Sequence, residues 1–324
     1  MRATWYVRNG PAAEVLDVGE LPDPEPGLGE VRVRLHASGV NPSDVKARAG
    51  NRKVMWERVI PDSDGAGVID GVGASVDASR VGQRVWIYNG QWERPYGTSA
   101  QYITLSSALA PPLLEGLSYE EGACLGIPVM TAHRCVFADG PVAGKSVLVT
   151  GGAGVVGHYA IQLARWGGAR VIATVSSAAK AEHARAAGAD HVINYRTENV
   201  VDRVRALTGG VDRIVEVDLG VNLPVSAEIL NPFGGIAAYA TAGKPVPELP
   251  YQALLRKNPT LRLVFVYTMP DEAKVQAIAD IERWAREAKP QFAIAARFSL
   301  DQVVAAHQTV ERGEKIGHVL LSPL

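Results

Sequence analysis

Ser146-Val147-Leu148-Val149-Thr150-Gly151-Gly152-Ala153-Gly154-Val155-Val156-Gly157 carries the strongest local signal in the chain. A short apolar run ends in a cluster of glycines, and an apolar pattern of helical spacing follows, with Tyr159, Leu163 and Trp166 on one face. A strand, a glycine turn and a helix N-terminus in that order aim backbone N–H groups and the positive end of the helix dipole at one point, where a pyrophosphate can sit. Gly154 lets the backbone approach the phosphates, and Gly157 lets helix and strand pack closely. A glycine triplet elsewhere would be only a tight turn. The strand before this one and the αβ units after it make it a dinucleotide loop.

Working downstream, strand-like runs at Arg170–Val175, His191–Asn194, Asp212–Val217, Gly235–Ala240 and Leu261–Val266 alternate with helix-length segments. That rhythm predicts an α/β class, with a doubly wound parallel sheet covered on both faces. Upstream the pattern is β. Val31, Val33 and Leu35 alternate with Arg32, Arg34 and His36, and short strands are expected at Gly67–Gly71 and Arg84–Ile87. Towards the other end an amphipathic helix near Glu272–Glu287 meets Pro290, followed by a helix at Asp301–Arg312 and a strand at His318–Leu321. These break the βα rhythm and are expected to return to the first domain. The expected division is residues 1–122 with 268–324 in a mainly β domain, and 123–267 in a Rossmann domain.

Composition limits the partners. The 324 residues, 47% apolar and 21% charged, suit a globular protein of two domains. With 33 basic against 34 acidic side chains the net charge is -1, which gives no pull toward nucleic acid or an anionic membrane. Met1–Gly10 lacks the apolar stretch of a signal peptide, and no apolar run is long enough to span a bilayer. The only cysteines, Cys124 and Cys135, cannot form a four-ligand zinc site, so a reducing cytoplasm is the expected location.

The residues after the second strand of the αβ series select the dinucleotide. A chain that binds NAD usually carries an acid there for the ribose 2′-hydroxyl. Here Thr174-Val175-Ser176-Ser177 has none, Lys180 follows, and Tyr195-Arg196 closes the next strand. Hydroxyls and an ammonium accept a 2′-phosphate that a carboxylate would repel, so NADPH is the expected cofactor. None of the seven histidines has a partner at metal-ligand spacing. No Tyr is followed by Lys four residues on, and no Gly-x-Ser-x-Gly elbow accompanies a hydrolase pattern. Without a metal to stabilise an alkoxide, the acceptor must already be electron-poor, as quinones and α,β-unsaturated carbonyls are.

Further motifs carry a resemblance. Gly39-Val40-Asn41-Pro42-Ser43-Asp44, Ile60-Pro61-Asp62-Ser63-Asp64-Gly65-Ala66-Gly67, the segment Gly122–Arg134, the glycine loop and Gly317–Leu321 resemble the zeta-crystallin-like quinone oxidoreductases, a zinc-free branch of the medium-chain dehydrogenase/reductase superfamily. The resemblance implies a GroES-like catalytic domain from both ends of the chain, a Rossmann domain between, and an active site in the cleft. It places Asn41 and Thr131 by the nicotinamide, and Ala153, Gly154, Val155, Val156 and Gly157 on the pyrophosphate. Ser176, Lys180 and Tyr195 fall on the 2′-phosphate, with Asn222, Ala240, Thr241, Phe265 and Val266 along the ribose and nicotinamide. Zinc-dependent relatives put metal ligands where this chain has Asn41 and Ser63-Asp64, so no metal is expected.

Asn41 is the one side chain assigned to the chemistry; the alternative is an Asn that merely holds the turn before Pro42. Lys46 and His133 depart from residues common in the family, and with Trp92 they bear on the substrate. The function expected is hydride transfer from NADPH to a quinone. An NADPH-dependent enone or enal double-bond reductase, and a non-catalytic NADPH-binding protein with a structural or RNA role, remain alternatives. The apolar strand Leu261–Val266 is expected last in its sheet, open to pairing in a homodimer or tetramer.

Overall fold

The computed structural model describes all 324 residues, and their packing divides the chain into two units: Met1–Ile127 with Phe292–Leu324, and Pro128–Gln291. The first unit is a mainly antiparallel sheet built round the long strand Glu30–Val40. That strand pairs antiparallel with Asp64–Val72, Tyr102–Ser106 and His318–Ser322. Val31, Val33 and Leu35 are fully buried while Arg32, Arg34 and His36 lie on the wetter face, as the period-2 pattern requires. Arg84–Ile87 adds to one side of this sheet and Ile294–Ser299 to the other.

The second unit is a six-stranded, wholly parallel sheet. Its order across the sheet is Thr260–Leu263, Leu230–Ala238, Val211–Glu216, Ser146–Val149, Arg170–Val175 and His191–Asn194. The strand direction of winding reverses between Ser146–Val149 and Val211–Glu216, which makes that gap the switch point of a Rossmann sheet. Leu148, Ile172, Ile193, Ile214 and Ile236 are buried in one shared core, as expected of strands covered on both faces.

Two expectations are corrected. The helix Asp271–Ala288 belongs to the second unit, so that unit runs from Pro128 to Gln291 and not from 123 to 267. The cause is its apolar stripe. Ala277, Ile281 and Trp284 are buried, Trp284 meets the Tyr159 ring edge-on, and Asp280 bonds His133. The strand expected over Leu261–Val266 stops at Leu263, because the chain turns into a short helical segment at Val266–Thr268. It is nonetheless the last strand of its sheet. No helix is long and apolar enough to cross a membrane.

Candidate active site

The glycine loop has the local geometry that its sequence predicts. Gly151 takes φ 63°, and Gly154 caps the helix Val155–Trp166 in extended conformation. A Cβ at Gly157 would stand 2.3 Å from the Gly151 carbonyl oxygen, so the first turn of the helix can lie on the loop only if that residue is glycine. Ala153 is buried beneath, and the free N–H groups of Val155 and Val156 begin the helix.

A cavity of about 690 Å³ opens at the C-terminal ends of the strands. Thr150, Gly151, Thr174 and Tyr195 line one side, and Val217, Asp218, Val221 and Asn222 the other. This is the place where a doubly wound sheet takes its ligand. Beyond Thr174, the Lys180 ammonium lies 3.2 Å from the Ser176 hydroxyl, so two of the three residues expected at a 2′-phosphate are together. Tyr195, the third, is half exposed and on the cavity wall. Glu198, an acid of the cavity lining near Tyr195 in sequence, is engaged by the backbone N–H of Asn194 at 2.9 Å and by Arg203 at 2.8 Å.

Sequence reasoning missed Glu216. This fully buried side chain accepts at one oxygen from the Thr150 hydroxyl (3.0 Å), the Asp218 N–H (2.6 Å) and the Asn222 amide (2.8 Å). Burial raises its carboxyl above the usual range, and the three donors oppose that rise. It ties the two central strand ends together and directs the Asn222 side chain inward. The only signal in the sequence was an acid at the end of a strand, Glu216-Val217-Asp218. Ala240 and Thr241 are likewise structural in their bonding. The Ala240 carbonyl accepts from Leu219 N–H, and the Thr241 hydroxyl accepts from Gly220 N–H and donates to the Lys244 carbonyl.

Thr131 is buried in the helix Met130–Phe137, Phe265 is half exposed just past the edge strand, and Val266 is buried. None of these three lines the cavity. His133, expected from the family resemblance to bear on the substrate, points at Asp280 with its Nε2 3.0 Å from the carboxylate and its ring against Phe137. It fastens two helices of the second unit.

Asn41 belongs to the first unit. It ends the strand Glu30–Val40 and caps the short helix Pro42–Lys46. Its backbone N–H donates to Asp44 at 2.8 Å and its side-chain amide donates to Asp64 at 2.7 Å. Asp44, Asp62 and Asp64 are all buried. Burial pushes the Asp44 carboxyl up to about 7, and burial plus the charge of Asp44 holds Asp62 and Asp64 well above the usual carboxylate range. Lys46 is exposed, and the Arg52 guanidinium lies 4.7 Å over the Trp92 ring.

Comparison with known proteins agrees with this layout. Residues 27–136 match the alcohol dehydrogenase GroES-like domain and residues 155–283 the zinc-binding dehydrogenase domain. Human quinone oxidoreductase is 30% identical over 319 residues, covering 97% of this chain and 94% of that protein. A mycobacterial protein solved in complex with NADPH is 28% identical and superimposes with a TM-score of 0.87 over 100% of both chains. A 2-haloacrylate reductase is 27% identical, with a TM-score of 0.85 over 100% of this chain and 99% of the other. With a full-length relative at that identity, a GroES-like sheet and a Rossmann sheet in one chain, the protein belongs to the quinone oxidoreductases of the medium-chain dehydrogenase/reductase superfamily.

Proposed function

We propose that the protein is an NADPH-dependent reductase of quinones that works without a metal ion. The observation that carries the cofactor is the Lys180–Ser176 contact at the strand end where an NAD-binding chain would carry an acid. The loop Ala153–Gly157 suits a pyrophosphate, since glycine at 157 lets the helix N-terminus lie directly on the loop. Ser176, Lys180 and Tyr195 hold the 2′-phosphate, and Asn222, Ala240 and Thr241 border the ribose. Thr131, Phe265 and Val266 serve the nicotinamide side. When bound, the reduced nicotinamide supplies the hydride. Asn41 orients the reacting groups through its amide, which does not titrate.

Metal independence is supported by the side chains present: no three His, Cys, Asp or Glu residues converge in a metal-binding arrangement. Asn41 and Asp64 satisfy each other instead. The substrate is a small electron-poor carbonyl compound, and the protein acts in the cytoplasm as a homodimer. The likeness to a 2-haloacrylate reductase favours a second reading, reduction of an activated carbon–carbon double bond on the same scaffold.

One assay separates these readings. NADPH consumption is followed with 1,4-benzoquinone, methyl vinyl ketone and 2-chloroacrylate, with and without a chelator. Turnover of the quinone that resists the chelator is expected. Preference for either alkene establishes the second reading, loss of activity with bound zinc overturns metal independence, and no turnover of any acceptor leaves a binding protein.

A further inference from the structure

Asp64 is only 1% exposed, yet it has no counter-ion, and the nearest charge acting on it is another carboxylate, Asp44. A buried carboxylate in that setting is costly, so its hydrogen bonds say what it is for. The Ile127 N–H reaches both of its oxygens, at 2.8 and 2.9 Å, and the Asn41 amide nitrogen reaches Oδ2 at 2.7 Å. The Asp64 carbonyl accepts from the Thr98 hydroxyl, which is 2.7 Å from the Ser38 hydroxyl on the central strand. Gly126 closes the other side. A Cβ there would stand 2.0 Å from Oδ1, so any side chain would displace the carboxylate.

The geometry points to Asp64 as the positioning residue of the Asn41 amide. A primary amide has a donor end and an acceptor end on one planar carbon. The Ile127 N–H at both oxygens favours the ionised form of Asp64 against the rise that burial imposes, so Asp64 takes the donor end of the amide, which turns the Asn41 Oδ1 away from it. With one amide N–H on Asp64, its backbone N–H on the Asp44 carboxyl and its side-chain oxygen on the Asp44 N–H side of the capping box, Asn41 has its second amide N–H left to offer. That deepens the role proposed above, on which this inference rests. Asn41 then offers that N–H to an oxygen of a bound molecule, such as a carbonyl oxygen, in an orientation set by Asp64.

The test is Asp64→Asn, which keeps the shape and an acceptor for Ile127 N–H but adds a donor that can hold the Asn41 oxygen. With NADPH and 1,4-benzoquinone, turnover should fall about ten-fold, with the Michaelis constant for the quinone changed less than roughly two-fold. In an Asn41→Ala background the same change should cost little, because the pair acts as a unit. Equal losses in both backgrounds overturn the proposal. A second readout does not depend on activity. The side-chain amide resonances of Asn41, assigned by their absence in Asn41→Ala, should shift in Asp64→Asn at unchanged melting temperature. Unshifted resonances overturn positioning by Asp64. Shifted resonances with normal turnover in Asn41→Ala uphold it while refuting the functional reading of Asn41.

Discussion

Lys180 shows what one residue can and cannot disclose. Its charge and the missing acid after Val175 were visible in sequence, and the structure adds that its ammonium meets Ser176. If that pair receives the 2′-phosphate, Lys180→Ala should weaken NADPH by roughly 2 kcal/mol, about thirty-fold, and leave NADH nearly unchanged. Titration of cofactor fluorescence checks this; equal weakening of both cofactors would count against it. Glu216 and Asp64 were not legible in the same way. Each is a lone acid whose meaning comes from partners far along the chain, Thr150 for one and Asn41 for the other. A single sequence shows spacing along the chain and not convergence in space. Asn41 was found through resemblance, and its backbone setting before Pro42 alone would have left it a turn residue.

At the scale of elements the parallel strands were the most legible. Arg170–Val175 and His191–Asn194 fall where their apolar runs predicted, because strands buried on both faces need unbroken apolar sequence. Ile294–Ser299 went unnoticed. It lies at the edge of its sheet with alternate residues exposed, and Ala295, Ala296 and Arg297 give it little β character. The edge strand Thr260–Leu263 leaves Leu263 73% exposed, beside a half-exposed Phe265. An apolar edge of this kind invites a second strand, which in the proposed dimer comes from another copy of the chain. Leu263→Lys is expected to shift the mass seen by light scattering from dimer to monomer. A wild-type monomer at micromolar concentration would remove the basis for the dimer.

Across the whole molecule, the sequence rhythm located both sheets but misplaced the helix Asp271–Ala288, since amphipathicity says that a helix has a partner without saying which. The molecule also buries titrating groups of opposite response. His158, with Nε2 2.7 Å from the Gln291 carbonyl and its ring stacked on His183, is lowered by burial from 6.5 to about 4, and His307 is lowered to about 3. The unfolded chain protonates these imidazoles first, so their contribution to stability is present above pH 6.5 and is lost as pH falls toward 4. Asp44 acts the other way. The folded state keeps its proton up to about 7 while the unfolded state loses it near 3.8, so stability falls as pH rises through that window. Melting temperature followed from pH 4 to pH 7 should therefore fall less on the acid side in His158→Gln, and less on the neutral side in Asp44→Asn. Parallel curves for wild type and both variants would contradict the assigned burial effects.

The pairing of His318–Ser322 with Glu30–Val40 bears on how the protein is made. Val319 faces Val40 in that ladder, one residue before Asn41. During synthesis the strand Glu30–Val40 leaves the ribosome long before His318–Ser322 exists, and its Ser38–Val40 end must wait without that partner. Every residue of Pro128–Gln291 emerges in the meantime, and that unit can close on its own because it is continuous in the chain. The surroundings of Asn41 are therefore among the last parts of the molecule to be completed, and ribosome-bound chains arrested before His318 should carry a closed parallel sheet without a finished antiparallel one.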